Sequence, residues 1–235
     1  MPPDIPTAYA IQDRAIAAYD EPVAGWKVGR VPLEYVERSG ALRLAGPIFA
    51  SQIFEERDAR IEMPIFDGGF GAAEAEFLLR LGATAPSGKT QYDMAEAAAL
   101  VGSVHVGIEI ASSPFPGIND HGPAVTISDF GNNYGLIVGA EIANWRGSGF
   151  EDWNVETEID GQSVGRATVS QMLDGALGSV RFLLELLGQR GIPAPAGLWI
   201  STGAVTGVHP VRVGQQVLAR FGDNHRLECS IGSAK

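Results

Sequence analysis

The chain has 235 residues, 45% of them hydrophobic and 19% charged, enough apolar content to bury a substantial core and to set aside general disorder. Seventeen Lys and Arg against 28 Asp and Glu leave a formal net charge of -11, the wrong sign for attraction to nucleic acid or anionic lipid, so an anionic substrate would need a local cation. The one cysteine, Cys229, permits no intramolecular disulfide and stands apart from any thiolate metal cluster.

Residues Pro6 to Tyr19 carry apolar side chains at Ile11, Ala15, Ile16 and Tyr19, a spacing that predicts a docking helix ending before Pro22. Trp26 to Val31 reads as a short strand, and Gly40 to Phe54, interrupted by Gly46-Pro47, as a loop. A strand runs from Glu74 through Phe77 to Leu81, bounded by Gly71 and Gly82. Asp93 with Glu96 three positions later forms a capping-box pattern that opens a predicted helix over 94–104, followed by a strand over 105–111.

The second half alternates strand and turn signals. Strands are predicted over 135–142 and 155–159, the latter joined through an Asp160-Gly161 hairpin turn to 162–166. Apolar residues at helical spacing from Val169 to Leu187 predict one long helix, ended by Gly188, Gly191 and Pro193. Strands over 198–201, 216–221 and 226–231 complete an α+β pattern over the whole chain, with no repeat or linker to divide it. The apolar stretches are too short or too interrupted to span a bilayer, and Met1-Pro2-Pro3-Asp4 lacks the basic and apolar regions of a secretory signal, so a cytoplasmic protein is expected.

Alternate residues of a strand share a face, so Glu74 and Glu76 project together with Ala75 turned away. Glu109 lies between Ile108 and Ile110, where an unpaired carboxylate would be costly and a nearby cation would compensate. An all-carboxylate set favours Mg2+ or Mn2+ over zinc. The same residues also suit a solvated strand face, with Glu109 paired to an arginine, and their spacing leaves both readings open.

Lys27, in Gly25-Trp26-Lys27-Val28-Gly29, either reaches a buried site, where burial and a metal would lower its pKa, or is an exposed strand lysine. The four histidines show no ligand spacing. His121, in the polar segment Asn119-Asp120-His121-Gly122, is the one to test as a base. No GxGxxG element or GxSxG nucleophile elbow occurs.

Five segments, taken in order, carry a family resemblance: Gly25-Trp26-Lys27-Val28-Gly29, Ala73-Glu74-Ala75-Glu76-Phe77, Ile108-Glu109-Ile110, Gly135-Leu136-Ile137-Val138-Gly139 and Ser201-Thr202-Gly203-Ala204. Together they resemble the 2-oxopent-4-enoate hydratase and oxalocrotonate decarboxylase family of the fumarylacetoacetate hydrolase superfamily. The resemblance implies a mixed, rolled β-sheet core with flanking helices and a homo-oligomer. It also implies a Mg2+ or Mn2+ site at Glu74, Glu76 and Glu109, a catalytic Lys27, and a Thr202-Gly203 turn that meets the carboxylate of a small 2-oxo acid. The chain departs from the family where Gly46-Pro47-Ile48-Phe49 stands in place of a segment with an aspartate, and where Leu173-Asp174-Gly175-Ala176 begins the late helix.

The activity so implied is metal-dependent hydration of a 2-hydroxy-2,4-dienoate, or its 2-oxo tautomer, to a 4-hydroxy-2-oxo acid. Decarboxylation of a 2-oxo dioate and carbon-carbon hydrolysis of an acylpyruvate use the same three glutamates. A non-catalytic family member that binds metal and 2-oxo acids would fit the missing aspartate.

Overall fold

In the computed structural model, which describes residues 1–56 and 60–234, the first predicted helix forms as α1 (Ile5–Ala18). Asp4 caps it by accepting the Thr7 N–H at 2.8 Å. Its buried face carries polar groups as well as Ala8. Gln12 donates from its amide to the carbonyls of Ala45 and Ile127, and the Tyr9 hydroxyl accepts the Ala45 N–H, so directed hydrogen bonds fix the docking of α1.

The strand expected near Trp26 is β1 (Val23–Arg30), followed by a short helix α2 (Leu33–Ser39). The segment 40–54, read from sequence as a loop, is largely strand: β2 (Arg43–Phe49), a 3-10 turn, and β3 (Ile53–Glu55). Gly46-Pro47 misled for two physical reasons. Pro47 is tolerated because β2 is the edge of its sheet, paired with β1 alone. Gly46 is glycine because the Phe130-Gly131 backbone lies against it, and a Cβ there would sit 1.9 Å from the Phe130 carbonyl oxygen.

Next come β4 (Ile61–Ile65), which was not anticipated, and β5 (Phe70–Leu81). The capping box forms as predicted, Asp93 and Glu96 each accepting the other's N–H, and opens α3 (Met94–Leu100). The helix stops at Leu100, short of the predicted end at 104. The valines at 101, 104 and 106 are better suited to the pleated strand β6 (Val101–Ser113), which pairs with β5 along its length.

The remaining elements are α4 (Pro123–Ser128), β7 (Asn133–Glu141), α5 (Trp145–Ser148), β8 (Val155–Ile159), β9 (Gln162–Ala167), α6 (Gly175–Arg190), β10 (Trp199–Ser201), β11 (His209–Pro210), β12 (Gln216–Phe221) and β13 (His225–Ser233). The hairpin between β8 and β9 turns on Asp160 and Gly161, both at positive φ. The single helix predicted from Val169 is divided into a 3-10 turn at Val169–Gln171 and then α6. Asp174 and Gly175 take φ of 50 and 64°, left-handed values that break the helical path although the apolar spacing continues through it.

One sheet has the strand order β2-β1-β10-β5-β6-β7-β3, with β11 also pairing β5, and the other has β4-β13-β12-β8-β9. Both are mixed, with parallel pairs at β1/β10, β3/β7 and β4/β13. Ile48 of β2, Leu78 of β5, and Leu136 and Val138 of β7 form one buried cluster, although β2 and β7 are at distant places in the strand order. The first sheet is therefore curled on itself, as the family resemblance implied. Its other face packs on α6 and the second sheet through residues that include Trp26, Phe77, Val180 and Phe221. No helix among the described residues is long and apolar enough to cross a membrane.

Candidate metal centre

Strand alternation places Glu74 and Glu76 on the inner face of the curl, while Ala75 joins the main core. The antiparallel register of β5 and β6 sets Glu109 directly opposite Glu74, and Gly107 opposite Glu76. Glu74 is 5% exposed and Glu76 and Glu109 are 0% exposed, which rules out the solvated strand face. The three residues each offer a carboxylate oxygen within 4.8 Å of the others.

Lys27 reaches the same face from β1, where its backbone neighbours are Gly46 of β2 and Ser201 of β10. Its Nζ lies 3.3 Å from Glu109 Oε1, so the partner of Glu109 is a lysine and not the arginine that the alternative reading required. The same oxygen accepts a hydrogen bond from the Asn133 amide at 3.1 Å. Glu76 Oε2 accepts from the Ser201 hydroxyl and from the Gly203 N–H.

These partners do not satisfy the cluster. Glu76 Oε1 and Glu109 Oε2 are buried without a hydrogen-bond partner. Burial, reinforced by the charges of Glu109 and Glu74, pushes the Glu76 carboxyl well above its ordinary range. Burial likewise lifts Glu74 to about 7, with Lys27 opposing and Glu109 adding to the shift. For Lys27, burial favours the neutral form, as expected from sequence, but Glu109, Glu74 and Glu76 outweigh it and hold the ammonium above its ordinary value. Hard oxygen donors, two of them orphaned, and an excess of negative charge suit a hard divalent cation of the Mg2+, Mn2+ or Ca2+ kind.

A cavity of about 680 Å3 opens on the centre, with Lys27, Glu74, Thr202 and Gly203 in its wall. The Thr202 hydroxyl donates to the Phe77 carbonyl, and the Thr202 carbonyl accepts from Ser179. Since the Gly203 N–H is taken by Glu76, the Thr202-Gly203 turn supports the glutamate cluster as well as bounding the cavity. His121 is exposed and stacked on Phe115, outside the cavity wall that its neighbours Asn119 and Gly122 help to form. In the segment lacking the family aspartate, Ile48 fills the curl and Phe49 stacks on Tyr19.

Sequence reasoning did not pick out Asn133 or Ser201, which hold Glu109 and Glu76, or Arg30 and Arg43, which line the cavity. Ser201 was recoverable as the neighbour of Thr202. The other three depend on pairings distant in sequence.

No family model matches the chain. Two curated 4-oxalocrotonate decarboxylases, from Pseudomonas sp. strain CF600 and Pseudomonas putida, are each 30% identical to it over 95 residues, or 40% of this chain. That match spans 36% of the length of each relative. Among solved structures, 4-oxalocrotonate decarboxylase from Pseudomonas putida G7, complexed with magnesium and adipate, superposes with a TM-score of 0.78 at 21% identity, covering 97% of this chain and 86% of that one. Fumarylpyruvate hydrolase from Pseudomonas aeruginosa, complexed with Mn2+ and pyruvate, gives 0.64 at 14% identity, covering 91% of each chain. The fold is thus that of the fumarylacetoacetate hydrolase superfamily. The family resemblance read from the sequence takes in the 4-oxalocrotonate decarboxylases, and both curated matches carry that name.

Proposed function

We propose that the protein is a divalent-metal-dependent enzyme acting on a small 2-oxo acid, and that its reaction is hydration of a 2-hydroxy-2,4-dienoate to a 4-hydroxy-2-oxo acid. The observation that carries this reading is the buried opposition of Glu74 and Glu109, with Glu76 and Lys27 beside them, under a cavity wide enough for such a molecule. Mg2+ or Mn2+ held by the three carboxylates would supply Lewis-acid stabilisation of negative charge on the substrate's C2 oxygen.

Lys27 is the proton carrier in this scheme. Its ammonium is held by Glu109 and faces the cavity, and in this scheme it protonates C5 of the dienol. The product of that step is a 2-oxo-3-enoate with an electrophilic C4. Water adds its oxygen there and C3 takes up a proton, which balances the hydration. Asn133 and Ser201 fix the carboxylates, so the site is set before substrate arrives.

A second reading, decarboxylation of a 2-oxo dioate, is favoured by the curated relatives, which are named as oxalocrotonate decarboxylases. It sends the electrons of the breaking carbon-carbon bond towards the same C2 oxygen and needs no added water. Incubating chelator-stripped protein, with and without Mg2+, with dienoates, oxo-dioates and acylpyruvates separates the readings. Metal-dependent loss of dienol absorbance without CO2 supports hydration, and CO2 release supports decarboxylation. Turnover that ignores Mg2+ would overturn both.

A further inference from the structure

Phe130, Gly131 and Asn132, just ahead of β7, take φ of 50, 68 and 66° in succession, a left-handed run in which only the middle residue is glycine. For an aromatic residue such as Phe130 that region is strained, and strain held in place by packing is a mark of functional positions. The packing here is specific. Phe130 sits edge-on to Phe49 with ring centroids 5.2 Å apart, and the Gly131 backbone lies against Gly46 of β2.

This arch meets the centre at both of its ends. A Cβ on Gly131 would lie 3.2 Å from Lys27 Cδ, so the arch runs beside the lysine stem, and Asn133, which follows it, holds Glu109. Asn132 stands between these two in sequence and lines the same cavity as Lys27 and Glu74. It is 4% exposed, its Oδ1 is buried without a hydrogen-bond partner, and its side chain makes no hydrogen bond among the described residues. Asparagine tolerates the left-handed region better than most residues do, which accounts for it on backbone grounds. Glycine would meet that need with no amide to bury, and burying an unpaired amide is costly. The backbone alone thus leaves the amide unexplained, whereas a polar group entering the cavity would pair with it.

We infer that the Asn132 amide binds the oxygen at C4, first as the water that adds there and then as the hydroxyl it becomes. This rests on the hydration reading above, in which Lys27 serves C5, the atom bonded to C4. The arch beside the lysine stem sets the amide at that end of the substrate. An amide suits the task because it both donates and accepts, as water and hydroxyl do, and it adds no fourth carboxylate to the centre. Decarboxylation, which needs no added water, gives the amide no such partner.

The test is calorimetric binding of 4-hydroxy-2-oxopentanoate and 2-oxopentanoate to the Mg2+-loaded protein, two acids of equal length that differ in the C4 hydroxyl. Wild type should bind the hydroxy acid on the order of tenfold more tightly. Asn132→Gly keeps the left-handed backbone, so its melting temperature should be no lower than wild type and its Mg2+-induced shift unchanged, while the preference for the hydroxy acid disappears. Equal affinities in the wild type, or a preference that survives in Asn132→Gly, would overturn the assignment while leaving the 2-oxo acid reading intact. A lost Mg2+ shift or a lowered melting temperature in the variant would also overturn it, making Asn132 a structural support of the centre. If neither acid binds to wild type, the 2-oxo acid reading fails and the assignment with it.

Discussion

Glu74 and Glu109 face each other across β5 and β6 as a buried like-charge pair, an arrangement that opposes the folding of the sheet unless a cation joins it. Lys27 supplies one positive charge against three carboxylates, and two oxygens are left without partners. The centre is therefore built at the expense of stability, which is the usual sign of a functional site.

Glu74→Gln removes one of the opposed charges and keeps the shape. The metal-free protein should then be as stable as wild type or more so, by up to about 1 kcal/mol, because the like-charge pair is gone. The stabilisation conferred by Mg2+ should largely disappear. Melting curves with chelator and with Mg2+ check both halves, and a wild-type Mg2+ shift in the variant would remove Glu74 from the metal centre.

The raised pKa values give the pH dependence a definite sign. Glu74, at about 7 in the fold against 4.5 ordinarily, binds more protons folded than unfolded, and Glu76 shifts the same way. The contribution of Glu74 to metal-free stability is thus full below about pH 4.5 and is lost as pH rises through about 7. Mg2+ must displace those protons, so the melting shift it produces should be smaller at pH 5 than at pH 8 and should grow as pH rises through about 7. A shift of equal size at both pH values would contradict these protonation states.

Much of this centre was legible in the sequence, and the reasons differ by residue. The two-residue spacing of Glu74 and Glu76 on an apolar strand is a local signal, and β8, β9 and β12 were equally plain from alternation and turn chemistry. Register is not local. Nothing near Glu109 says that Glu74 will be its partner, and the ordered resemblance carried that inference instead. β2 was lost because Gly46-Pro47 is a turn signal unless one knows that the strand lies at a sheet edge against Phe130-Gly131. With β2 went the Arg30 and Arg43 pairing. The break before α6 was hidden because the apolar spacing runs unbroken past Asp174.

Gly46 gives a stability prediction that is independent of the chemistry. Gly46→Ala would place a methyl 1.9 Å from the Phe130 carbonyl oxygen and 2.7 Å from the Gly131 Cα, both backbone atoms with little room to yield. A loss of about 3 kcal/mol or more is expected, at the upper end of overpacking costs. Denaturant unfolding of the metal-free protein measures it, and a midpoint unchanged from wild type would mean that the Phe130-Gly131 backbone does not press on β2.

Lys27 separates proton transfer from metal binding. Lys27→Gln removes the cation that competes with a metal for Glu109, so Mg2+ affinity should hold or increase. The metal-free variant should be less stable, by about 3 kcal/mol, because breaking a buried pair leaves the partner charge uncompensated. Turnover of the accepted 2-oxo acid should fall by about 10²- to 10⁴-fold, the range for a lost general acid or base, with KM little changed. A Mg2+ titration followed by melting temperature, run beside steady-state kinetics, reads the two effects separately. Loss of Mg2+ binding together with activity would make Lys27 a structural support of the glutamates, and unchanged kcat would remove it from the reaction.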